Sequence, residues 1–94
     1  METGTFESFA AAARAQGFDE ILERQWPAGT VLDTHTHAFS VKEVVVQGEM
    51  WLTVGDAVRH LRPGDAFTLD LEVPHAERYG PDGATYRVAR RNAA

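Results

Sequence analysis

The stretch TVLDTHTHAFSVKE, residues 30–43, places two of the chain's four histidines two positions apart. Side chains alternate across a β-strand, so Val31, Asp33, His35 and His37 fall on one face and Leu32, Thr34 and Thr36 on the other. Two imidazoles at i and i+2 can share one ion at about 2.0–2.2 Å from each nitrogen. Two polar residues in a solvated strand fit the same spacing. That stretch alone leaves both readings open.

The pattern continues outward in both directions. Before it, FDEILERQW reads as a strand that stops at Pro27-Ala-Gly29. After it, VKEVVVQ is β-branched and ends at Gly48, and EMWLTV runs to Gly55-Asp56, a two-residue hairpin signal. AVRHL, AFTLDL, PHAERY and ATYRVARR follow, separated by the turn chemistry of Arg62-Pro-Gly-Asp65 and Pro81-Asp-Gly83. Seven or eight short strands with regular turn signals predict an all-β sandwich or closed barrel. No helical pattern separates the strands, which argues against a βαβ fold. The exception is TFESFAAAARAQG at the start. Thr5 suits its cap, Glu7 the positive end of the helix dipole and Gly17 its stop, which predicts a helical arm over residues 1–17 and a barrel over 18–94.

Ninety-four residues make one domain, near the lower limit for independent stability, so a homodimer is the natural supplement. The formal charge of −5 argues against binding nucleic acid or an anionic membrane through bulk electrostatics. The short basic cluster Arg87, Arg90 and Arg91 reads as a solvated end. Cysteine is absent, which excludes disulfides and thiolate metal sites. No segment is apolar enough to span a bilayer, so the expectation is a soluble, cytoplasmic protein.

Gly29, His35-Thr-His37 and Gly48-Glu49 together resemble the first motif of the cupin superfamily. Pro63-Gly-Asp65 and Val73-Pro-His75 resemble the second, and the likeness spans roughly residues 18 to 90. The resemblance implies an antiparallel jelly-roll β-barrel. Carried onto this chain, it implies a metal held by His35, His37 and His75. The position of the family's glutamate is occupied by Val41. Glu43, two residues on and on the same face, is the candidate replacement, either as a fourth ligand or as a charged residue near the barrel mouth. Tyr79 stands where the pattern has Asn, and the glycine expected between Asp70 and Pro74 is replaced near Glu72.

The implied site is three imidazoles with open positions. Imidazole ligation points to a divalent transition metal (Fe, Mn, Ni, Cu or Zn) rather than Mg or Ca. Without a carboxylate such a site is more positive and favours an anionic ligand. Two functions follow from the resemblance. One is a metal-dependent enzyme, an oxygenase, isomerase or lyase, acting on a small organic molecule; the other is a non-catalytic binding or sensing barrel for a small molecule. Glu77 shares a face with His75, either as an acceptor that orients an imidazole or as a surface partner of Arg78 or Arg87. His60 reads as a half-exposed strand histidine, and Trp26, Trp51, Phe67 and Tyr86 read mostly as core.

Overall fold

The computed structural model describes residues 5–92. Helix α1 (Phe6–Ala15) leads into six strands: β1 (Glu20–Trp26), β2 (Val31–His35), β3 (Phe39–Val54), β4 (Ala57–Leu61), β5 (Ala66–Leu69) and β6 (His75–Asn92). Every strand pairing is antiparallel.

The helix starts where its sequence says it should. Thr5 Oγ1 accepts from the Ser8 amide and Ser8 Oγ from the Thr5 amide, both at 3.0 Å, so two otherwise unpaired amides of the first turn are satisfied. Gly17, with φ +92°, turns the chain away just past Gln16. Ala10 and Ala13 are buried. Arg91 Nη2 donates to the Gln16 carbonyl at 2.7 Å, and Lys42 Nζ to Gln16 Oε1 at 3.0 Å, holding the helix end against the sheet.

Two expected strand breaks do not occur. VKEVVVQ and EMWLTV are one strand, β3, and PHAERY and ATYRVARR are one strand, β6. Both long strands pass between two half-sheets. The first half of β3 pairs with β5 and the end of β6, whereas its second half pairs with β4 and the start of β6. Register shifts between Val45 and Gln47 and between Gly48 and Met50 make the change of direction. Gly48 therefore marks a crossing rather than an end. Its φ is +78°, and a Cβ there would collide with the Gly83 carbonyl oxygen. The two bent strands approach this closely because neither carries a side chain at that point.

The strand order β1-β6-β3-β4, with β2 on β6 and β5 on β3, does not close on itself. Among the described residues the expected closed barrel is an open, rolled sheet, consistent with a jelly roll. Its interior is one apolar cluster drawn from both half-sheets, with Val45, Met50, Leu61 and Tyr79 fully buried. The basic cluster is not a solvated end. Arg87 is buried and pairs with Glu23 at 3.4 Å, Arg90 lies over the Phe39 ring at 4.8 Å, and Arg91 ties down the helix. On this central strand Arg90 shares the parity of the core residues Tyr86 and Val88, whereas Arg87 and the exposed Arg91 lie on the other face. No helix among the described residues is long and apolar enough to cross a membrane.

Candidate metal centre

Strands β2 and β6 bring the histidines together through an irregularity. Val31 pairs with Arg78, Leu32 with Glu77 and His35 with His75, so three steps on β2 oppose two on β6. The extra residue moves Leu32 onto the face of His35. Val31, expected on that face, points outward and is 62% exposed. His37 lies beyond the end of β2, and its carbonyl accepts the Glu72 amide at 2.8 Å. Glu72 has φ +63°, the only non-glycine with positive φ among the described residues. It holds the conformation a glycine would take more readily, near where the sequence pattern lacks one.

His35, His37 and His75 converge. One ligand atom from each lies within 4.8 Å of the others. The ring centroids of His35 and His75 are 4.4 Å apart, and those of His37 stand 4.9 and 5.0 Å from them. His35 Nδ1 is 2.6 Å from the Asp33 carbonyl and His75 Nδ1 is 2.9 Å from the Val73 carbonyl. A carbonyl only accepts, so both Nδ1 atoms donate, which leaves Nε2 of each ring as the atom available to an ion. Burial, reinforced by His75, His35 and Arg90, lowers the His37 pKa to about 4, so this ring is neutral at pH 7. A cation requires neutral imidazoles with free lone pairs. The residues fit.

Glu77 does not orient an imidazole through Nδ1, since backbone carbonyls do that. It stands instead on the ligand side. Its Oε2 is 3.5 Å from His35 Nε2 and 3.9 Å from His75 Nε2, and its Oε1 accepts the Tyr79 hydroxyl at 2.7 Å. Glu43 and Glu77 both lie outside the three-histidine cluster and line the cavity beside it. Burial, with the nearby Glu77 carboxylate, raises the Glu43 pKa to about 8, and Glu43 Oε1 has no hydrogen-bond partner. Val41 is packed into the core.

The cavity has a volume of about 370 Å³. Trp26, Leu32, Phe39 and Tyr86 supply its apolar wall, and Arg24 and Arg90 its cations. The Arg24 guanidinium sits 5.0 Å from the Trp26 ring centre, and the buried Nε of Arg90 has no hydrogen-bond partner. Sequence reasoning overlooked both arginines. The signal was there: Tyr86, Val88 and Arg90 alternate along one strand, and the first two are core.

No protein-family model and no curated protein sequence matches the chain. Solved structures do. An RmlC-like cupin from Shewanella frigidimarina superposes with a TM-score of 0.69 at 25% identity, covering 78% of this chain and 65% of its own. This chain has the cupin fold. The DMSP lyase DddQ from Ruegeria pomeroyi matches at a TM-score of 0.70 and 26% identity, over 77% of this chain and 37% of that one. Oxalate decarboxylase of Bacillus subtilis, which has Mn(II) centres, matches at 0.69 and 16% identity over 79% of this chain and 21% of that one. The chain thus spans less than two thirds of the length of each.

Proposed function

We propose that this cupin is a metal-dependent enzyme acting on a small anionic molecule, by lyase, isomerase or oxygenase chemistry. The observation that carries the reading is the convergence of His35, His37 and His75, with His35 and His37 in the wall of a substrate-sized cavity. A divalent transition ion held there would supply Lewis acidity toward a substrate oxygen. The chain's own residues have separable tasks. Arg24 and Arg90 receive an anionic group of the substrate, such as a carboxylate, with Arg90 Nε already lacking a partner. Trp26, Phe39 and Tyr86 exclude water from one side. Glu43, protonated at neutral pH, holds a proton at the cavity wall and is the candidate general acid. In this reading it handles protons and does not bind the ion. The DMSP lyase and oxalate decarboxylase among the similar structures support a fold that accommodates such chemistry.

A second reading is a non-catalytic binding barrel. It is favoured by Val41, which puts a core side chain where the cupin pattern has a ligand.

Elemental analysis of untagged protein tests the first step. Near-stoichiometric transition metal in the wild type is expected, and none in a His35→Ala, His37→Ala, His75→Ala variant. No metal in either, after incubation with Fe, Mn, Ni, Cu and Zn salts, defeats the metalloenzyme. Turnover of small carboxylates, screened under air and under nitrogen and abolished by chelation, separates the enzyme from the binding barrel.

A further inference from the structure

We infer that Glu77 supplies the carboxylate ligand of the metal, from the strand that carries His75 and not from the strand position held by Val41. The inference rests on the three-histidine reading above and extends it to a fourth donor.

The spacing carries the argument. Glu77 Oε2 stands 3.5 Å from His35 Nε2 and 3.9 Å from His75 Nε2. Both distances are long for a charge-assisted hydrogen bond, which falls at about 2.7–2.9 Å. They are close to the edge of a coordination tetrahedron, because ligands about 2.1 Å from one ion stand about 3.4 Å apart. The ring orientation agrees. With Nδ1 of each ring donating to the Asp33 and Val73 carbonyls, Nε2 is the atom that each ring turns toward Glu77. The carboxylate is only 7% exposed, and a cation held between it and the two Nε2 atoms would offset the cost of burying its charge.

The carboxylate is also held in position. Its other oxygen accepts the Tyr79 hydroxyl at 2.7 Å, and Tyr79 stacks on Trp26 at 5.5 Å. The tyrosine is fully buried, where burial and the Glu77 charge push its own pKa up, so it stays a donor. An acid two residues after a histidine on a strand presents to the same face. Leu32 faces Glu77 across the β2–β6 pair, and the irregularity beyond it lets His35 approach the same oxygen.

The test uses Co(II), whose visible spectrum reports its ligands, with affinity measured against a chromophoric chelator. Glu77→Gln keeps the shape and an acceptor for Tyr79 while removing the charge; Glu43→Gln and Tyr79→Phe serve as comparisons. Expected are a loss of affinity of at least about 100-fold in Glu77→Gln, beyond what an outer partner usually contributes, and displaced visible bands. Glu43→Gln should keep the wild-type bands. Wild-type bands in Glu77→Gln overturn the inference while leaving the three-histidine site standing. Failure of the wild type to bind any metal defeats the underlying site instead. If Glu77→Gln does not fold, a crystal structure of the Co(II)-loaded wild type decides. Glu77 oxygen at about 2.0–2.2 Å from the ion upholds the inference, and a separation beyond hydrogen-bonding distance overturns it.

Discussion

Two histidine–glutamate pairs lie on opposite faces of the same rolled sheet, and they are built differently. On the outside, His60 Nε2 meets Glu49 Oε1 at 3.1 Å, both side chains being partly exposed. The His60 ring lies flat on Trp51, at 4.5 Å and 2°, and Arg78 covers Trp51 at 4.2 Å. Every group there has its partner, and water screens the rest. On the inside, the buried Glu77 approaches the buried His75 and the partly exposed His35, both at longer range. The outer pair is complete in itself. In the proposed reading a cation completes the inner one. The same two residue types thus make a minor surface contact or a candidate metal centre, according to burial and to which nitrogen faces the acid.

The largest expected consequence is metal-dependent stability. A transition ion at a hundred times its dissociation constant should add about 2.7 kcal/mol. For a domain of this size that corresponds to a rise in Tm of about 10 °C or more, at about 4–8 °C per kcal/mol. Calorimetry of the wild type with added Zn or Ni should show this rise, and the triple histidine variant should show none. An equal rise in both would move binding away from the inner face.

Next is a pH dependence of the metal-free protein. The folded pKa of Glu43 is raised from 4.5 to about 8, so the fold retains a proton that the unfolded chain releases. Stability from this group falls as pH rises between 4.5 and 8. His37 acts in the opposite sense: its folded pKa is lowered from 6.5 to about 4, so its contribution grows as pH rises between 4 and 6.5. Above pH 6.5 only the glutamate slope remains, at about 1.4 kcal/mol per pH unit, or about 2 kcal/mol by pH 8. Urea titrations at several pH values should show that decline in the wild type and its loss in Glu43→Gln.

The smallest effect belongs to the outer pair. His60→Ala should cost about 1 kcal/mol or less by denaturant titration and leave metal content unchanged. A loss of metal on that substitution would erase the distinction between the two faces.

Much of this arrangement is readable from the chain alone. Thr5 and Gly17 bound the helix through local chemistry. The three candidate histidines are marked by the spacing of His35 and His37 together with the likeness of Val73-Pro-His75 to the second cupin motif. The outward position of Val31 was not readable, because strict alternation cannot foresee an extra residue between Leu32 and His35. Nor was the continuity of β3 and β6. Gly48 and Gly83 carry the same turn signal whether a strand ends or bends across its neighbour.

The sequence by itself determined the all-β class, the helical start, the turn positions and three candidate ligands. The class, helix and turns follow from local conformational preference, and the three candidate ligands from the resemblance of two short motifs to the cupin pattern. Only the tertiary structure shows which acid stands beside the histidines. Val41, Glu43 and Glu77 compete for that place, and strand parity cannot rank residues on different strands. The ranking comes from the pairing of β2 with β6, which sets Glu77 beside His35 and His75, and from burial, which keeps Glu43 protonated away from them. Both are long-range effects, produced by segments more than thirty residues apart in the chain.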